Sequence, residues 1–142
     1  MAEMKSQRII GKTRAAGFQI GVRRTLPIPA EEAWRLLTSP HGLSIWLGIL
    51  EPRGLFEGAS FRLSDGTSGE VRRLKPGSHL RLGWQPPGWP RSSTIQVRVL
   101  PKGVRCVVAF HQEQLPGAKQ RVERGAFFRT ALDQLEKLAS PG

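Results

Sequence analysis

From Phe18 onward apolar and polar residues alternate, with Phe18, Ile20, Val22 and Leu26 on one face and Gln19, Arg23 and Thr25 on the other. That period of two predicts a half-buried strand. Pro27 and Pro29 end it. The stretch 29–37 then opens with proline and two glutamates, which a helix N-terminus favours, and Ala33, Trp34 and Leu37 share one helical face. Ser39-Pro40-His41-Gly42 reads as a break, followed by a shorter helix or turn over 43–47. Pro52, Gly54 and Gly58 mark 51–58 as a loop, and a weaker strand is expected over 60–63, ending at Asp65-Gly66.

Four further strands are predicted over 69–75, 79–85, 92–100 and 103–111. Lys75-Pro76-Gly77, Pro86-Pro87-Gly88 and Pro101-Lys102-Gly103 separate them as turns, and connections this short imply an antiparallel meander. Leu80, Leu82 and Trp84 repeat every second position, as do Ile95, Val97 and Val99, and Val104, Cys106, Val108 and Phe110, while Arg81, Arg98 and Arg105 project oppositely. After Leu115-Pro116-Gly117 the spacing becomes helical through Val122, Ala126, Phe128, Leu132, Leu135 and Ala139, a long amphipathic helix closed by Pro141-Gly142. The expected core comprises Val22, Trp34, Leu82, Trp84, Val97, Val108, Phe128, Leu132 and Leu135.

This order describes one α+β domain over 14–140, preceded by a flexible basic tail over 1–13. The length of 142 residues suits a single core. The formal charge of +11 raises nucleic acid or anionic membranes as partners, but the basic residues are single or paired along the chain and most alternate with apolar ones, as on a solvated sheet face. Cys106 is the sole cysteine, which rules out a disulfide framework, and it reads as a small buried thiol rather than a nucleophile. Neither a signal-peptide stretch nor an apolar run of membrane-spanning length is seen, so a cytoplasmic protein without membrane insertion is expected.

Four local patterns sharpen the fold. Pro29-Ala30-Glu31-Glu32-Ala33-Trp34-Arg35-Leu36-Leu37-Thr38, Trp46-Leu47-Gly48, Gly69-Glu70-Val71-Arg72-Arg73-Leu74-Lys75-Pro76-Gly77 and Leu82-Gly83-Trp84-Gln85-Pro86 stand in this order. Together they resemble the activator-of-Hsp90-ATPase-homologue-like family of the START-like (SRPBCC) superfamily. The resemblance covers about 18–138 and implies a helix-grip fold: a curved antiparallel sheet around a long C-terminal helix, with two short helices after the first strand. Many relatives start the last helix with Gly-Trp, whereas here Gly125 is followed by Ala126-Phe127-Phe128. Superfamily members bind lipids and other apolar small molecules, a few are cyclases or hydrolases, and the founding family stimulates a chaperone ATPase.

No catalytic centre is evident in the sequence. His41, His79 and His111 lack metal-ligand spacing, and no metal or other cofactor is expected. Nucleophile elbows and phosphate-binding loops are absent, and His111-Gln112-Glu113 lacks the cysteines that a deaminase signature requires. The aromatic residues carry more information. A pocket between the sheet and the last helix is expected to use Trp46, Phe61, Trp84, Val97 and Phe110, with Phe127, Phe128 and Leu132 from the helix. Small residues at Gly83, Cys106 and Ala126 leave it room, and Arg73, His111 or Arg124 would orient a ligand. Trp89 is a candidate lid or partner contact.

Binding of an apolar, lipid-like or anionic small molecule without catalysis is therefore the leading functional expectation. A stress-related or chaperone-activating interaction with an acidic protein comes second, and a cyclase- or hydrolase-type enzyme third. Nucleic-acid binding rests on charge alone and is expected to be non-specific.

Overall fold

The computed structural model describes residues 12–13, 17–51 and 54–140. Eight strands form one antiparallel sheet in the order β1-β2-β8-β7-β6-β5-β4-β3. They are β1 (Lys12–Thr13), β2 (Gly17–Leu26), β3 (Leu50–Glu51), β4 (Ser60–Leu63), β5 (Ser68–Lys75), β6 (His79–Gln85), β7 (Ser93–Lys102) and β8 (Arg105–Leu115). Helices α1 (Ala30–Thr38) and α2 (Pro40–Trp46) follow β2, and α3 (Ala118–Ala139) ends the fold. The curved sheet, paired short helices and long last helix make the expected helix-grip architecture. Apart from Lys12 and Thr13, the tail expected over 1–13 lies outside the described residues.

Three boundaries differ from the sequence expectation for physical reasons. Ser39-Pro40 starts α2 instead of breaking the chain: Ser39 is its N-cap, accepting from the Gly42 N–H at 3.0 Å, and Pro40 occupies the first turn, where its missing N–H costs nothing. Strand β7 runs through Pro101 to Lys102. Its neighbour β6 pairs only as far as Arg98, so the proline removes no ladder bond on that side. Strand β8 reaches Leu115 because β2 pairs with it that far, across an irregularity between Phe18 and Ile20.

The core lies between the inner sheet face and the helices. Phe128 stacks on Phe110 at 4.9 Å with the rings 7° apart, and Trp46 closes on Phe110 at 5.6 Å. Trp46 Nε1 donates to the Leu37 carbonyl at 2.8 Å, joining α2 to α1. All three aromatics are fully buried, and burial of each contributes on the order of 1.5–3 kcal/mol. The C-terminal half of α3 is tied to β2 by Arg24, whose Nη1 donates to Asp133 and to Glu136, both at 2.8 Å.

Of the expected core, Val22 and Trp34 are half-buried against the cluster and the others are buried. The stripe of α3 is shifted from the one read in the sequence. Val122 is 64% exposed and Ala126 is also exposed, while Arg124, Gly125, Phe128, Ala131, Leu132, Leu135 and Ala139 are buried. Gly83 faces outward, toward Arg72, Ser92 and Glu70, so neither it nor Ala126 makes room inside. Gly69 does admit a neighbour: a side chain there would overlap the Gly83 carbonyl and the Phe61 ring.

Candidate functional site

The shifted helix stripe begins with a cation. Arg124 occupies a core position on α3 and is 9% exposed. Inward residues of β8 alternate as Cys106, Val108, Phe110 and Gln112, so the last of them places a buried amide opposite that arginine. Arg124 Nε donates to Gln112 Oε1 at 2.8 Å, Gln112 Nε2 donates to Ser93 Oγ at 2.9 Å, and Ser93 Oγ donates to the Trp84 carbonyl at 2.7 Å. The relay crosses from α3 over β8 and β7 to β6. It fixes the orientation of the amide, because one end must accept from a guanidinium and the other must donate to a hydroxyl. Beside it, Gln114 has a left-handed backbone (φ 64) opposite the irregularity in β2.

Three aromatic rings surround the guanidinium. Arg124 Cζ stands 4.1 Å from the centroid of Trp84, 4.4 Å from that of Phe127 and 4.8 Å from that of Phe128. Trp89, carried by the Pro86-Pro87-Gly88 turn, meets Trp84 edge-on at 5.2 Å, and Gln85 Nε2 holds that turn by donating to the Trp89 carbonyl.

The charge is only partly compensated. Among the described residues no carboxylate forms an ion pair with Arg124, and its terminal nitrogens have no protein acceptor. Burial pulls its pKa down to about 10, with the field of Asp65 opposing, so it remains a cation at neutral pH. Asp65 itself is held below the ordinary carboxylate range, chiefly by the Thr67 N–H, which donates to Asp65 Oδ1 at 2.9 Å, with a smaller part from Arg124. Trp84 Nε1 is buried without a partner. Neither the Arg124 terminal nitrogens nor Trp84 Nε1 has a protein acceptor among the described residues, and the guanidinium lies over the Trp84 ring in a largely apolar setting, which suits an anionic or carbonyl oxygen.

Several residues expected at the site do gather here or directly below it. Trp84, Phe127 and Phe128 contact Arg124, although Phe127 is 37% exposed at the rim. Trp46, Phe61, Val97, Phe110 and Leu132 belong to the packed core. Arg73 and His111 do not join them. Arg73 is exposed beyond an irregularity in β5, and His111 faces outward, its Nε2 hydrogen-bonded to Gln19 Oε1 at 2.9 Å. Gln112 and Ser93 do not stand out in an apolar periodicity; their signal in the sequence is a polar residue in an inward strand register. Burial pushes the Cys106 thiol up, in keeping with its reading as an inert core group. A separate groove of about 460 Å³ beside α2 is lined, among the described residues, by Leu43, Ile49 and Leu50 and other uncharged side chains.

No group of acids, histidines and cysteine among the described residues is arranged to hold a metal, and no described helix is long and apolar enough to cross a membrane. A comparison with curated proteins found no match. Solved structures share the fold. CalU16 from Micromonospora echinospora is 26% identical, with 87% of this chain and 76% of that one covered and a TM-score of 0.75. An Aha1 dimer from Colwellia psychrerythraea is 18% identical, covering 85% and 95% with a TM-score of 0.69. DynU16, described as a putative protein in the dynemicin biosynthetic locus, is 18% identical with a TM-score of 0.73; 84% of this chain is covered, but the match spans only 46% of DynU16. Residues 27–140 match the model of the activator of Hsp90 ATPase homolog 1-like proteins, and the chain belongs to that family.

Proposed function

We propose that this domain binds, without transforming it, an apolar small molecule that carries an acidic group, and that Arg124 receives that group. The supporting observation is the buried arginine itself. A guanidinium enclosed by Trp84, Phe127 and Phe128, fastened through Nε and lacking an acid partner, is costly to keep unless something uses it. With Nε committed to Gln112, the edge formed by the two terminal nitrogens can accept a carboxylate in a paired, planar contact. The neighbouring rings would take the apolar body of the ligand, and Trp84 Nε1 would supply a further donor.

The reading is non-catalytic because the groups at the site suit binding better than proton or acyl transfer. The Ser93 hydroxyl is committed to a hydrogen bond that it donates to the Trp84 carbonyl, and Asp65 is held in its ionised form. Native mass spectrometry of the protein purified from its own host tests this. A retained acidic small molecule, lost from an Arg124→Met variant, is the expected result. An unchanged adduct on that variant, or turnover of the released molecule when it is returned to the protein, would contradict the reading.

A further inference from the structure

The outer sheet face carries a second, independent arrangement of charge. Arg23 on β2 and Arg98 on β7 are both registered opposite Ala109 on β8, one from each side. Strands are about 4.8 Å apart, so the two arginines flank a single methyl group with roughly 10 Å between their α-carbons. Gly21 stands opposite His111 in the adjoining pair. Because Gly21 and Ala109 lack bulk, the surface dips between the arginines into a groove of about 540 Å³, with Leu100 and His111 also at its edge. The hydrogen bond between His111 Nε2 and Gln19 Oε1 fixes the ring there.

Arg24, Arg35, Arg72 and Arg81 each have a carboxylate partner, whereas Arg23 and Arg98, like Arg62, Arg73 and Arg105, have none among the described residues; what distinguishes Arg23 and Arg98 is that they flank one small residue, Ala109. We propose that the groove docks an acidic, extended segment of another protein, two of whose carboxylates pair with Arg23 and Arg98 across Ala109. Charge complementarity supports this occupant, given the formal charge of +11 and two unpaired cations on one concave patch. So does spacing. An extended chain advances about 3.3 Å per residue with alternate side chains on one face, so acids two residues apart stand about 7 Å apart on the same face, close enough for the long arginine side chains to reach both. Leu100 adds an apolar contact for an intervening side chain. Net charge alone would attract a nucleic-acid backbone as well, and the test below separates the two. The groove and the Arg124 site are on opposite faces of β8, since Ala109 and His111 alternate with Phe110 and Gln112.

The test uses fluorescence anisotropy at low salt with a labelled dodecapeptide bearing glutamate at every second position, its glutamine counterpart, and an oligothymidylate of matched charge. The parent protein is expected to bind the glutamate peptide alone, with affinity falling as salt rises. The Arg23→Ala/Arg98→Ala pair should weaken binding ~10-fold or more, and Ala109→Glu should do the same by placing a carboxylate between the arginines. Val104→Glu/Val122→Glu, at positions 81% and 64% exposed, lowers the net charge as much as the arginine pair does and should change binding by less than ~2-fold. Equal weakening by that control would mean diffuse charge and overturn the proposal. It would also fail if the oligothymidylate bound through Arg23 and Arg98, or if the glutamate peptide did not bind.

Discussion

Arg124 Cζ lies 4.1 Å from the centroid of the Trp84 ring, whose own Nε1 is buried without a hydrogen-bond partner. A cation and a neutral donor in contact, neither facing an acid, form an arrangement that costs stability in the empty domain and gains it when an acceptor arrives.

That cost is measurable. The double variant Arg124→Met/Gln112→Leu removes both ends of one buried hydrogen bond and keeps apolar volume. Without ligand it is expected to be as stable as the parent or up to ~2 kcal/mol more stable, by the midpoint of chemical unfolding. A loss above ~3 kcal/mol would make Arg124 a structural cross-link rather than a binding group.

Gln112 is a positioning residue. Gln112→Met alone frees Arg124 Nε and should cost ~1–3 kcal/mol, because a buried charge loses its one protein acceptor. Affinity for an acidic ligand should fall ~5- to 10-fold as the guanidinium loses its fixed orientation. Unfolding measurements and ligand titrations on the same samples separate the two effects.

Asp65 sets an acid limit. Its folded-state pKa is depressed, so the stabilisation it provides is complete above the ordinary value of 3.8 and is lost as pH falls through the lower, folded-state value. Asp65→Asn should therefore be less stable than the parent at neutral pH, by under ~1 kcal/mol because the carboxylate is exposed, and the gap should close below pH 3.8. The same change removes a negative charge near Arg124 and should strengthen acid binding ~2-fold.

Gly69→Ala tests the sheet around the site. Its methyl group would run into the Gly83 carbonyl and the Phe61 ring, so a loss of ~2–3 kcal/mol is expected in thermal unfolding. Gly77→Ala meets no neighbour, but its φ of +80 strains any side chain, so its smaller loss serves as a reference for backbone strain without a clash.

Strand and helix order was legible in the sequence because period-two runs such as Leu80, Leu82 and Trp84 report burial directly. The start of α2 was not, since Ser39-Pro40 carries the same residues whether it ends one helix or caps the next. The site was hidden for a related reason. Periodicity weights apolar residues, so it placed Val122 and Ala126 on the inner stripe of α3 and treated Arg124 as one of several polar groups at a pocket edge. In fact Arg124, Phe128, Ala131 and Leu135 form the stripe, and Gln112 continues the inward register of Phe110. Polar residues in apolar registers were the available signal, but their pairing depends on contacts across four elements.

The central claim, that Arg124 receives the acidic end of an apolar ligand, is tested most directly by differential thermal shift with a panel of aromatic and aliphatic carboxylates, each matched to its neutral amide. The account predicts that at least one acid raises the melting temperature more than its amide. The difference should shrink in Arg124→Lys, which keeps the charge without the planar fork, and vanish in Arg124→Gln. Equal shifts for every acid and its amide, or an acid preference that survives in Arg124→Gln, would contradict it.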